Sequence, residues 1–93
     1  MSDALAVADA ERMAERFRAL AEPARLQILH ALREGEMTVS RLIEATGLGQ
    51  ANLSKHLQLL HAGGFVARRK EGLFVYYTLA DLDTLRLLEA VRD

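Results

Sequence analysis

The stretch from Gln50 to Gly64, QANLSKHLQLLHAGG, predicts a short amphipathic helix whose polar side has an unusual composition. Leucines recur at helical spacing along one side, as in a helix that packs against a core. The other side carries short polar residues and one lysine, where a solvated helix usually mixes Glu and Lys; its residues are Gln50, Ala51, Ser54, Lys55 and Gln58. A core explains the leucines but does not explain this polar side.

The residues around this stretch predict a helix-turn-helix followed by a β-hairpin. Thr38 can cap a short helix, VSRLIEAT, that Gly47 can end. Only about four residues join that helix to the next one, which is typical of a helix-turn-helix over residues 38–62. The strand-like runs FVARRK and LFVYYTL then flank a predicted two-residue turn at Glu71-Gly72. This hairpin, over residues 65–79, follows the helix-turn-helix directly and is in the position of a wing.

Helices are predicted on both outer sides of this unit. The first spans residues 3–20. A second helix, PARLQILHALREG, ends at Gly35 and turns three apolar positions inward: Leu26, Leu29 (or Ile28) and Leu32. A last helix begins at Ala80, with Asp81 and Asp83 near its positive N-terminal end.

Together these elements describe one winged helix-turn-helix domain, mainly α with a small β-hairpin, in the 93 residues of the chain. The chain contains no cysteine, which excludes disulfides and thiolate metal sites, and no apolar run approaches the length of a membrane span. No signal-peptide pattern opens the sequence, so we expect a cytoplasmic protein. The net charge is −1, but five cations and two anions between Arg41 and Leu79 give a basic centre between acidic ends.

Four motifs in order, LAEPARLQIL, LSKHLQLL, GFV and RKEGLFVYY, carry a family resemblance. From Phe17 to Leu79 the chain resembles the ArsR/SmtB family of bacterial winged-helix repressors. The resemblance implies a homodimer joined through its first and last helices, residues 1–20 and 80–93. It also implies binding to a palindromic operator in a promoter, with release on a signal. The apolar residues expected at the dimer interface are Leu5, Met13, Phe17, Leu82, Leu85, Leu88 and Val91.

The polar side of the central helix fits double-stranded DNA as its partner. A helix that reads base edges in the major groove needs short side chains with amide or hydroxyl groups. Cations just before the hairpin tip can reach phosphates or the minor groove, and hydroxyls at the start of the preceding helix can bond phosphates. The predicted DNA contacts are Thr38, Ser40, Gln50, Ala51, Asn52, Ser54, Lys55, Gln58, Arg68, Arg69 and Lys70. The structural alternatives are an ordinary polar helix face, a charged edge that blocks strand pairing, and a helix cap at Thr38.

The residues of the metal sites that the resemblance implies are missing. Where the family commonly has a Cys-x-Cys pattern this chain reads EMTVSRL, and its last helix has no histidine. Carboxylates in that helix are more simply capping and surface charges. None of the three histidines, His30, His56 and His61, has the i, i+4 spacing of a two-histidine helical site, and we interpret His56 as a packing residue. We therefore predict no metal site and no cofactor, and the sequence does not identify an effector.

A sequence-specific DNA-binding regulator is therefore the favoured function class. Two alternatives stay open, namely a winged-helix protein-interaction module without DNA binding and a metal-responsive repressor with a non-standard site. The sequence shows no nucleophile and base pairing, no phosphate loop and no metal set, so we expect no enzyme activity.

Overall fold

A computed structural model describes residues 3–92, and the predicted elements occur there in the predicted order, but the first helix begins at Val7 and not at residue 3. Residues 1, 2 and 93, which the predicted domain and its terminal helices include, lie outside the described residues. A three-residue 3₁₀ helix, Leu32–Glu34, continues the second α-helix. The elements are α1 Val7–Leu20, α2 Pro23–Ala31, β1 Met37–Thr38, α3 Val39–Thr46, α4 Gln50–Ala62, β2 Val66–Glu71, β3 Phe74–Leu79 and α5 Leu82–Val91.

The helix-turn-helix prediction is confirmed, and local hydrogen bonds explain why it forms. The Thr38 hydroxyl accepts from the Arg41 backbone N–H at 3.2 Å and so caps α3. Gly47 ends α3 with a φ of +74°, a left-handed conformation that glycine adopts without steric cost. The Thr46 hydroxyl donates to the Leu42 carbonyl at 2.7 Å and accepts from the Leu48 N–H at 3.3 Å. These bonds leave α3 and α4 joined by three residues, 47–49.

The core lies where α2, α3 and α4 meet. Its fully buried side chains are leucines and one isoleucine, namely Ile28, Leu29, Leu32, Leu42, Leu53, Leu57 and Leu60. The predicted inward position of Leu26 is wrong, because this side chain is 39% exposed. At 100° per residue, Leu26 lies about 110° from the middle of the face that α2 buries. Arg25 lies near the middle of that face instead and is half-buried.

The sheet contains a strand that the sequence pattern did not predict. β1 is only two residues long, too short to show any periodicity, and pairs antiparallel with β3. β2 pairs with the other edge of β3, which gives the order β1-β3-β2. The predicted turn at Glu71-Gly72 is wrong by one residue, since Glu71 pairs with Phe74 and the turn is Gly72-Leu73. Glycine at the first central position, with a φ of +60°, suits this two-residue turn.

The last helix begins two residues later than predicted. Ala80 lies outside α5, and Asp81 is extended and forms the N-cap. Its Oδ1 accepts from the Thr84 backbone N–H at 2.9 Å and from the Thr84 hydroxyl at 3.1 Å. These bonds, the backbone one first, hold the pKa of Asp81 below its ordinary value of 3.8. No helix within residues 3–92 is both long and apolar enough to cross a lipid bilayer.

Replacing the α5 cap should destabilise the fold in a pH-dependent way. Asp81→Ala removes an ionised capping group, and we expect the thermal midpoint at neutral pH to fall by about 5 °C. The folded-state pKa is depressed, so the contribution of Asp81 is present above pH 3.8 and is lost as the pH falls through the lower folded-state value. Circular dichroism melts at pH 7 and below pH 3.8 should therefore show a difference that shrinks in acid.

The matched control for this prediction is Asp83→Ala, which removes an exposed carboxylate from the same turn but leaves the cap in place. It should change the midpoint much less. An Asp81→Ala protein that melts like the wild type at neutral pH would contradict the capping role.

Candidate nucleic-acid interface

The polar side of α4 is exposed, and its apolar side is in the core. Gln50, Ala51, Lys55 and Gln58 are exposed, and Ser54 is half-buried. The buried leucines behind them hold this face outward. Asn52 is also exposed, but it lies about 120° from the middle of the face and belongs to its flank. The structure thus brings five of the predicted contacts to one surface, which we call the α4 face: Gln50, Ala51, Ser54, Lys55 and Gln58.

His56 is a buried structural residue of α4, as predicted. Its side chain is 7% exposed, and its Nδ1 accepts a hydrogen bond from Arg25 Nε at 3.2 Å. A second nitrogen of the Arg25 guanidinium donates to the Ala19 carbonyl at 3.0 Å. One arginine of α2 therefore links α1 to α4. Sequence reasoning missed Arg25, although its helical spacing from Ile28 and Leu32 was a signal that it faces inward.

The start of α3 supplies a second polar surface beside the wing. Thr38 uses its hydroxyl to cap α3 and pairs in the sheet with Tyr76. Ser40 and Arg41 are exposed in the first turn of the helix. Arg41 was not among the predicted contacts, although it follows Thr38 by three residues and belongs to the basic centre of the sequence.

Pairing in the sheet divides the three predicted wing cations between two faces. Residues paired across antiparallel strands share a face, and successive residues alternate. Arg68 pairs with the buried Tyr77 and Lys70 pairs with Val75, so both belong to the sheet face that turns toward the helices, although both residues are themselves exposed. Arg69 pairs with Tyr76 on the opposite face.

The Arg69 guanidinium is already engaged within the protein. It donates to both carboxylate oxygens of Glu36 at 2.7 Å and also contacts Glu71. Its central carbon lies 4.3 Å from the centre of the Tyr76 ring. The hydrogen bond from Arg69 lowers the pKa of Glu36, and the bonds to Glu36 and Glu71 raise the pKa of Arg69. Sequence reasoning missed Glu36, which is 33 residues away along the chain.

The predicted dimer residues separate into exposed and half-buried ones. Leu5, Met13 and Phe17 of the N-terminal part are exposed, and the Phe17 side chain is 54% exposed. At the other end Leu82 and Val91 are exposed, whereas Leu85 and Leu88 are half-buried. A cavity of about 310 Å³ lies between α1 and α5, and Phe17 lines it. The two terminal helices thus present apolar surface that this protomer does not cover.

Within residues 3–92 no three His, Asp or Glu side chains form a group that could hold a metal ion. His30 is exposed on α2, and its pKa is lowered, first by loss of hydration and then by the charges of Arg33 and Arg92.

A family model described as bacterial regulatory protein, arsR family, matches residues 22–68 of the chain. The chain is 40% identical over 82 residues to the HTH-type transcriptional regulator Rv0324 of Mycobacterium tuberculosis, across 88% of this chain and 36% of that protein. It therefore spans little more than a third of that relative. It is 35% identical over 91 residues to a transcriptional repressor SmtB homolog of Synechocystis sp., across 98% of this chain and 69% of that protein.

A solved structure confirms the predicted fold class. The homodimeric winged helix-turn-helix DNA-binding domain Mb0332 from Mycobacterium bovis, determined by NMR, has a TM-score of 0.81 and 38% identity to this chain. The match covers 98% of this chain and 86% of that one.

The link through Arg25 should measurably stabilise the protein. Arg25→Met keeps the aliphatic stem but leaves the buried His56 Nδ1 and the Ala19 carbonyl without their donor. We expect the free energy of unfolding in urea to fall by about 1–2 kcal/mol.

The control for Arg25→Met is Arg33→Met, which removes an exposed arginine bonded to the His30 carbonyl. This variant should unfold at nearly the wild-type urea concentration. Equal midpoints for both variants would show that the Arg25–His56 bond contributes nothing.

Proposed function

Because the chain belongs to the arsR family of bacterial regulatory proteins, we propose that it acts as a homodimeric repressor on a palindromic operator in double-stranded DNA. In this proposal it acts in the cytoplasm, at the nucleoid. The two relatives described above are named as a transcriptional regulator and a transcriptional repressor homolog, which agrees with the expectation that the chain is not an enzyme. The α4 face, held outward by buried leucines, is the observation that carries the proposal.

The composition of the α4 face suits the major groove. Gln50 and Gln58 offer amides that can pair with adenine, and the Ser54 hydroxyl can meet either base type. Lys55 can donate to guanine or to a phosphate. α4 contains no Asp or Glu that would repel the DNA backbone. An acidic or strongly apolar face would have favoured the protein-interaction alternative.

Phosphate contacts on both sides of α4 would fix its register. Ser40 and Arg41 lie near the start of α3, and Arg68 and Lys70 lie on the helix-packed face of the wing. Such contacts position a protein on the duplex but carry no sequence information. One protomer offers few free cations, so useful affinity needs the combined contacts of two protomers.

A second copy of the chain is the proposed cover for the terminal helices. Exposed apolar side chains stand on both α1 and α5, and those of Met13 and Phe17 line the cavity between these helices. A domain of 93 residues buries a limited fraction of its own surface, so an apolar interface can add much to its stability. The homodimeric Mb0332 domain has the same fold and supports this arrangement.

A charge reversal on the α4 face tests the DNA-binding proposal. Lys55→Glu places an anion against DNA in both protomers, and we expect affinity for a duplex obtained by in vitro selection to fall at least about 100-fold. The logarithm of the wild-type affinity should fall with the logarithm of salt concentration with a slope of roughly −5 to −7, as for six to eight phosphate contacts. Fluorescence anisotropy measures both quantities.

Arg33→Glu makes the same charge change in the 3₁₀ helix, outside the α4 face, and should bind nearly as well as the wild type. Both variants should melt like the wild type because both side chains are exposed. Unchanged affinity of Lys55→Glu at moderate salt would rule out the α4 face as the DNA contact.

The dimer proposal predicts twice the mass of one chain in light scattering at micromolar concentration. Phe17→Glu should give a monomer, because it places a charge in the proposed apolar interface. Leu73→Glu is the matched control, since Leu73 is 96% exposed at the wing tip, and it should remain a dimer. A monomeric wild type, or two variants that behave alike, would count against the α1 and α5 interface.

A further inference from the structure

Arg69 is the centre of a side-chain cluster on the outer face of the sheet. Its two terminal nitrogens and Nε contact two carboxylates, those of Glu36 and Glu71, and its plane lies over the Tyr76 ring. The contact with Glu36 is bidentate, which is the strongest arrangement of an arginine and a carboxylate. We call Glu36, Arg69 and Tyr76 the wing clamp.

The wing clamp and the neighbouring Glu71 together have the wrong charge for a phosphate site. One guanidinium faces two carboxylates, so Arg69, Glu36 and Glu71 together carry a charge of −1. A DNA phosphate that approached Arg69 would meet two anions at the same time. Arg68 and Lys70, on the opposite face of the strand, have no such partners among the ion pairs of the described residues.

The clamp connects the wing to the start of the helix-turn-helix. Arg69 is on β2, Tyr76 is on the middle strand β3, and Glu36 immediately precedes β1. β1 continues through Thr38, which pairs with Tyr76 and caps α3. Because β1 contributes only two residue pairs, the backbone alone holds α3 to the sheet weakly. The Arg69–Glu36 ion pair joins β2 to the residue that precedes β1, and so adds a side-chain link between β2 and the segment that leads to the α3 cap.

We infer that Arg69 is a positioning residue, and that the wing clamp sets the orientation of the wing relative to α3 and α4. Arg68 and Lys70 then supply the wing's phosphate contacts. The inference rests on the proposed DNA-binding function, and it changes the role expected for Arg69 from a DNA ligand to an internal anchor.

The salt dependence of DNA binding separates the two roles of Arg69. Loss of a phosphate contact reduces the slope of log affinity against log salt by about 0.9 per contact. Arg69→Gln should weaken binding to the selected duplex about fivefold, within the range of an exposed ion pair, and leave the slope unchanged. Arg68→Gln removes the same charge from the neighbouring residue and should reduce the slope. An Arg69→Gln slope reduced as much as that of Arg68→Gln would overturn the inference.

Glu36→Gln gives opposite results under the two roles. If Arg69 contacts phosphate, removing its carboxylate partner frees the guanidinium and raises affinity. If the clamp positions the wing, Glu36→Gln lowers affinity about as much as Arg69→Gln, and the double variant is no weaker than either single one. Glu11→Gln removes an exposed carboxylate from α1 and should have no effect. An affinity of Glu36→Gln that rises above the wild-type value, or that equals it, contradicts the clamp.

Hydrogen exchange of the protein without DNA tests the clamp separately from the proposed function. In Glu36→Gln the backbone amides of β2 and β3 near the wing tip should exchange about fivefold faster, while those of α2 and α4 stay at wild-type rates. Equal exchange in the wing would overturn the clamp even if the protein binds DNA. A wild type that binds no selected duplex would overturn the proposed function, whereas the exchange data would still decide whether the clamp holds the wing.

Discussion

Burial of the α4 leucines is the constraint on which the rest of the structure depends. Leu53, Leu57 and Leu60 are fully buried against α2, α3 and the sheet, and each contributes about 2 kcal/mol by leaving water. Rotating α4 about its axis would expose all three at once, so the opposite face has one stable direction. His56 and Arg25 add a polar bond beside these leucines that fits only this rotation. The direction of the α4 face is thus a consequence of packing in the core.

Features with local causes were predictable from the sequence, and features with distant causes were not. The cap at Thr38 and the stop at Gly47 depend on residues within a few positions, and both were placed correctly. The α4 face was predictable because helical periodicity separates its polar and apolar sides. In contrast, β1 is a strand only because Tyr76 and Tyr77 lie beside it, some forty positions later in the chain. The ion pair of Arg69 depends on Glu36, which no local pattern connects to it.

Smaller errors at element ends have equally specific physical causes. The hairpin turn was placed one residue too early because Glu71 has a cross-strand partner in Phe74, which composition does not reveal. The predicted last helix begins too early because Asp81 has an extended backbone and its carboxylate caps the helix. Leu26 was assigned to the core as an apolar residue, although the centre of that helix face belongs to Arg25. In each case a hydrogen bond or a strand pairing determined the position of the turn, the helix start or the buried residue, and side-chain polarity alone does not show it.

The three-residue connection between α3 and α4 has a consequence for how a signal could act. The Thr46 hydroxyl bonds to Leu42 in α3 and to Leu48 within the connection, and Leu48 is half-buried, so the connection holds the two helices as one stiff body. A ligand could therefore change the arrangement of α3 relative to α4 only slightly. In the proposed dimer, the separation and tilt of two such bodies stay adjustable, and they must match the helical repeat of the DNA duplex. Under the proposed function, a signal would act on the spacing between the two copies, measured in fractions of a DNA turn.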